Sequence, residues 1–172
     1  RRAQLFTVKP NAAHMAIASL ENDYDVTVVT QNVDNLHERA GSTRIIHLHG
    51  ELTKVRPENC CNDMDGFSEE TVFDIGADEI HIGDKAPNGA QLRPHIVWFG
   101  EAVPKIEDAI LALRDIDVFV IIGTSLNVYP AAGLLNYVPA NVPVYLIDPN
   151  EVNVTRCGVT VIRKGASEGM RI

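Results

Sequence analysis

Val118-Phe119-Val120-Ile121-Ile122 is apolar at five successive positions and stops at Gly123. A strand with one wet face alternates apolar and polar residues. An unbroken, β-branched run belongs instead to a strand covered on both faces, the kind from which parallel sheets are built. Similar runs occur at Val26-Thr27-Val28-Val29-Thr30, Ile45-Ile46-His47-Leu48-His49, residues 94–99, Val144-Tyr145-Leu146-Ile147 and Val159-Thr160-Val161-Ile162, and residues 52–56 continue from the second of these as another strand. Helical segments fall between them. Asn11 can cap a helix over residues 12–20. A short helix over 32–39 closes at Gly41. Pro104 opens another, with Ile106, Ile110, Leu111 and Leu113 on one side, and residues 129–138 read as a helix rich in Ala and Leu. Strands alternating with helices predict an α/β fold, a parallel sheet with helices on both faces. Residues 57–92 break the pattern: rich in Gly, Asp, Asn and Glu, and aperiodic, they read as an insertion or small subdomain.

Charge narrows the partners. Lys plus Arg is 15 and Asp plus Glu is 23, a net charge of −8, which argues against nucleic acid held by general electrostatics and tolerates a cationic partner such as a lysine-rich peptide. No apolar run approaches the roughly 18–20 residues of a membrane span, and no signal-peptide core is present. Three cysteines, two of them adjacent, are not a secreted disulfide framework, so a reducing, cytoplasmic setting is expected. The chain opens Arg1-Arg2-Ala3-Gln4 in the middle of a pattern, and both ends are expected to be cut.

Ligands of parallel sheets sit beyond the carboxyl ends of the strands. Four polar segments should fall there: Gln31-Asn32-Val33-Asp34, His49, Gly123-Thr124-Ser125 and Asp148-Pro149-Asn150. His49 ends a strand, is followed by Gly50, and carries an imidazole, whose ordinary pKa of roughly 6.5 suits it to take a proton near neutrality. The amides and carboxylate of residues 31–34 suit a ribose or an amide, and Gly123 with its two hydroxyl neighbours suits a phosphate or ribose. Plainer roles compete. His47 and His49 share a strand face, but no convincing third ligand accompanies them, so no metal site is expected there and His47 reads as structural. His37 can cap or face solvent, Asp34 and Asn35 can begin a helix, Trp98 can be core, and Glu101 can be a solvated loop charge.

Four ordered motifs carry a resemblance: Thr-Gln-Asn-Val-Asp-Asn-Leu-His (30–37), His-Leu-His-Gly-Glu (47–51), Arg-Pro-His-Ile-Val-Trp-Phe-Gly-Glu (93–101) and Gly-Thr-Ser-Leu-Asn-Val-Tyr-Pro-Ala-Ala-Gly (123–133). Together they resemble the sirtuins, NAD-dependent protein-lysine deacylases, across roughly residues 1–166. Val-Trp-Phe-Gly-Glu and the opening Arg1-Arg2-Ala3-Gln4-Leu5 are similar to bacterial members of the desuccinylase-type class. The resemblance implies a Rossmann-like NAD-binding domain over 1–55 and 93–172, incomplete at its N-terminus, with 56–92 as a small zinc-domain-like insertion. It implies His49 as catalytic base, deprotonating a ribose hydroxyl so that the acyl group leaves lysine as O-acyl-ADP-ribose. Gln31, Asn32 and Asp34 would line the nicotinamide–ribose pocket. Gly123, Thr124 and Ser125 would hold the adenosine side, flanked by Asp148, Asn150 and Ala166. Val97, Phe99 and Gly100 would pair with the substrate backbone, and Arg1 would grip an acidic acyl group such as succinyl. The implied partners are acylated lysine-containing proteins or peptides, with neither nucleic acid nor membrane.

Two departures from that family stand out. Its glycine-rich phosphate loop would precede residue 1, so weak NAD binding, or none, is expected of this chain alone. Its two Cys-x-x-Cys pairs are replaced by Cys60-Cys61 and Gly83-Asp84-Lys85-Ala86, so zinc is not expected. A non-catalytic nucleotide- or peptide-binding remnant, or another NAD or flavin enzyme on the same fold, stays open as an alternative.

Overall fold

A four-residue helix, α1 (Arg2–Leu5), precedes Asn11, whose side-chain oxygen accepts from the backbone N–H of Ala13 (2.9 Å) and His14 (3.2 Å), while the His14 ring accepts from the Asn11 N–H. This reciprocal cap satisfies donors that the first turn leaves without helical partners. It starts α2 (Ala12–Leu20) where the sequence puts it. Asn11→Ala should cost about 1 kcal/mol and lower Tm by roughly 2–4 °C, read by thermal denaturation; an unchanged midpoint would show the cap to be idle.

The structure is a computed structural model that describes residues 1–58, 71–154 and 156–171. The chain divides into two compact units, one of Arg1–Lys9, Val29–Asn35 and His47–Lys105, the other of Pro10–Val28, Leu36–Ile46 and Ile106–Ile172. Strands β1 (Val28–Thr30) and β2 (Ile45–His47) form a two-stranded sheet. Both are shorter than the sequence suggests. β1 begins at Val28, whose N–H donates to Arg44, and β2 stops at His47 because Leu48 and His49 turn the chain into Gly50.

In the first unit, β3 (Gly50–Pro57) is the middle strand of an antiparallel sheet, between β4 (Phe73–Asp74) and β5 (Leu92–Ile96). Its pairing with β5 opens at Gly50↔Ile96 and Glu51↔His95, then shifts register before Val55↔Pro94. Val55, Leu48 and His95 are buried here. β5 ends at Ile96, short of the expected Phe99, because residues 98–101 form a tight turn in which the Glu101 N–H donates to the Trp98 carbonyl (3.0 Å). Within 57–92 the Gln91 side chain accepts from the Gly83 N–H and donates to the His81 carbonyl, closing that loop.

In the second unit, α3 (Leu36–Ala40) starts four residues later than expected, and α4 (Ile106–Ala112) lies in the segment opened by Pro104. Ala109 in α4 and Leu113 just after it are buried, with Ile106 and Ile110 half-buried on the same side, spaced as one helical face requires; Leu111, assigned to that face from sequence, is exposed. Residues 131–137 form a 3-10 helix rather than the expected α-helix, consistent with weak α-formers at Gly133 and Asn136. The sheet is parallel, in the order β6 (Phe119–Ile122), β7 (Val144–Ile147), β8 (Val159–Ile162), with Ile122, Ile147 and Ile162 level with one another. Central β7 is the buried strand, with Leu146 fully enclosed. β6, expected to be covered on both faces, pairs on one side only among the described residues, and Val118 and Val120 are exposed. α2 packs on α3 and on α5 (Ala166–Gly169). Among the described residues no helix is long and apolar enough to cross a membrane.

Candidate active site

Three successive carbonyls organise the first unit's polar centre. The Thr30 hydroxyl accepts from the Asn32 N–H (3.1 Å), which holds the segment after β1 out of helical conformation. The Gln31 carbonyl then lies 3.0 Å from Nδ1 of His49, the Asn32 carbonyl 3.4 Å from Nδ1 of His47, and the Val33 carbonyl accepts from the Leu52 N–H (2.7 Å). These bonds explain why α3 waits until Leu36. They also reveal a role for Gln31 that the sequence did not suggest: its main chain orients the His49 ring.

The tautomer follows from the partner. A carbonyl only accepts, so Nδ1 of a neutral His49 carries the hydrogen and Nε2 keeps the lone pair. His49 sits half-buried in the turn between β2 and β3 rather than at a strand end, and its carbonyl accepts from the Val97 N–H (3.0 Å). Residues 97–101 are therefore tied directly to it. The Val97 carbonyl and both Phe99 backbone groups make no hydrogen bond among the described residues. Phe99 is fully exposed, and Gly100 (φ +93°) takes the left-handed position the turn requires.

Glu101 is not a solvated charge. Its carboxylate receives Nη1 of Arg93 at 2.6 Å, Nη2 of Arg56 at 3.3 Å and the Trp98 N–H at 2.9 Å. Burial alone would push the carboxyl upward; the Trp98 N–H, the Arg93 hydrogen bond and the two guanidinium charges outweigh it and hold Glu101 below its ordinary value. Arg56 is itself buried. Its pairing spans 45 residues, and nothing local in the sequence signals it.

Arg1 is exposed, at the N-cap of α1 with no capping bond from its side chain. Its neighbour Arg2 is the anchored one, donating to the carbonyls of Leu52 (2.6 Å) and Asp78 (2.8 Å).

The second unit carries the other expected segments at one edge of its parallel sheet. Gly123 leaves β6 with its N–H on the Ile147 carbonyl (2.9 Å), and Asp148 leaves β7 with its N–H on the Ile162 carbonyl (3.3 Å). Thr124 turns the chain by accepting from the Leu126 N–H (3.3 Å), and Ser125 is exposed. Asp148 is buried and accepts from the Asn150 N–H (2.8 Å), a turn that fixes residues 148–150. Ala166 opens α5 just after β8. Cys60 and Cys61, on which the zinc expectation rests, lie outside the described residues; Cys157 is exposed.

A model of the Sir2 family matches residues 1–130. An NAD-dependent protein deacylase of Bacteroides thetaiotaomicron is 57% identical over 99% of this chain and 72% of its own length. A crystal structure of a Sir2 homolog–NAD complex superposes with a TM-score of 0.81 at 38% identity, over 96% of this chain and 64% of that one. A Sir2 structure with a p53 peptide and NAD+ gives a TM-score of 0.77 at 26% identity, over 98% of this chain and 70% of that one. The chain, an α/β protein with a parallel sheet, belongs to the Sir2 family of NAD-dependent protein deacylases.

Proposed function

We propose that the full-length protein removes acyl groups from protein lysines with NAD as co-substrate, releasing nicotinamide and O-acyl-ADP-ribose, and that His49 is its general base. The observation that carries this is the Nδ1 bond of His49 to the Gln31 carbonyl, which leaves Nε2 to take a proton from a ribose hydroxyl. NAD, when bound, supplies the ribose that accepts the acyl group. Within the first unit, Gln31 orients the base, Asn32 and Asp34 line the nicotinamide ribose, and Val97, Phe99 and Gly100 pair with the backbone of an acylated peptide; the Val97 carbonyl and Phe99 groups, unbonded among the described residues, support that role. Within the second unit, Gly123, Thr124 and Ser125 hold the adenosine side, with Asp148, Asn150 and Ala166 beside the adenine. The removed group is acetyl, or succinyl or malonyl where Arg1 meets its carboxylate. Residues 56–92 form the inserted small domain, without zinc, and the setting is cytoplasmic.

The test is nicotinamide release from NAD with and without acetyl-lysine and succinyl-lysine peptides. Release is expected only with an acylated peptide. Release that ignores the peptide, or none with either peptide, would overturn the proposal.

A further inference from the structure

We propose that Glu101 is a positioning residue for the acyl-lysine peptide: gripped by Arg93 and Arg56, its carboxylate fixes the Trp98–Glu101 turn and with it the backbone of Val97 and Phe99 that faces the peptide. The inference rests on the deacylase reading and adds a device to it. A four-residue turn with an exposed Phe99 at its tip has little packing of its own to hold it. What holds it is charge. Glu101 closes the turn twice, through its N–H on the Trp98 carbonyl (3.0 Å) and its carboxylate on the Trp98 N–H (2.9 Å). The same carboxylate is fastened to β5 by Arg93 and to β3 by Arg56.

Arg93 has two further holds, a weak one on the Ile96 carbonyl (3.4 Å) and one over the Trp98 ring, 5.9 Å from guanidinium carbon to ring centre. Side-chain exposure of Arg56, Arg93 and Glu101 is 11%, 16% and 21%, so water replaces these partners poorly and the charge-assisted bonds keep their strength. The turn also reaches the base, since the Val97 N–H donates to the His49 carbonyl. A peptide strand that pairs with Val97 and Phe99 thus meets a rigid edge and spends little binding energy ordering it.

Glu101→Gln in the full-length protein tests this, because glutamine keeps the shape and removes the charge. Trp98 is the single tryptophan, so its emission and anisotropy report the turn directly. The expected result is a relaxed Trp98 signal and a peptide KM raised about tenfold, with kcat and the KM for NAD within about twofold, a tenfold change being about 1.4 kcal/mol. Arg93→Lys, which keeps the cation and loses the planar fork, should move peptide KM and Trp98 anisotropy the same way by less. A relaxed turn with unchanged peptide KM overturns the inference and leaves the deacylase reading intact. A fall in kcat and a rise in both KM values together, in step with a lower melting point in both variants, overturns it as well, showing Glu101 to be structural only. Absence of acyl-peptide dependence in the unaltered protein overturns the deacylase reading and this inference with it.

Discussion

His49→Ala should lower acyl-peptide-dependent nicotinamide release from the full-length protein by roughly 10²–10⁴-fold, the range ascribed to a positioned general base, with little change in stability. The asymmetry follows from the ring's surroundings. It is half-buried and among the described residues makes one side-chain hydrogen bond, to the Gln31 carbonyl, so its removal should cost only about 0.5–1.5 kcal/mol of folding free energy. The backbone bond between the His49 carbonyl and the Val97 N–H survives the substitution. Peptide binding measured through Trp98 should therefore persist while turnover disappears. His49→Gln sharpens the test, because its amide can still donate toward the Gln31 carbonyl but has no basic nitrogen. If either variant retained wild-type turnover, the base would have to be sought elsewhere. If both lost peptide binding along with turnover, the ring would be holding the turn rather than doing chemistry.

Much of the second unit was legible from local pattern. The runs at 144–147 and 159–162 became β7 and β8 without adjustment, and Asn11 caps α2 through neighbours two and three residues on. Exits from parallel strands lying in register must emerge on one side, which is why Gly123 and Asp148 fall at a common edge. What the sequence hid was non-local. Residues 32–35 have the composition of a helix start, but carbonyls 31–33 are engaged by residues 47–52, and those distant partners decide the conformation. Glu101 looks like a loop charge until Arg56 and Arg93 are brought to it by the β3–β5 pairing. The apolar run at 118–122 signals burial on both faces, yet Val118 and Val120 are exposed, because face burial depends on what packs over a strand and not on the strand's own residues.

Gly50→Ala should be the most damaging single-methyl change in the first unit. Gly50 has φ +77°, where an L-residue with a Cβ costs roughly 1–2 kcal/mol. Conformation is the smaller part of the penalty. A Cβ at this position would be driven into the backbone carbonyl of His95, and that carbonyl belongs to a buried residue in β5. A flexible side chain could swing aside; a strand backbone can move only by opening the Gly50↔Ile96 and Glu51↔His95 pairs. The total loss should reach about 3–4 kcal/mol, in the range that marks a specific backbone conflict rather than ordinary surface change. Activity should fall further than the unfolded fraction explains, because His49 is the preceding residue and its carbonyl bond to Val97 lies beside the opened pairs. Gly100→Ala supplies the control. Its φ of +93° is equally unfavourable, but a Cβ there meets nothing within 4 Å, so only the conformational cost of roughly 1–2 kcal/mol applies. Chemical denaturation of the two variants should give a clearly lower midpoint for Gly50→Ala. Equal midpoints would mean that β5 yields to the added methyl at no cost, and that the His49–Gly50 turn is not held by the β3–β5 pairing.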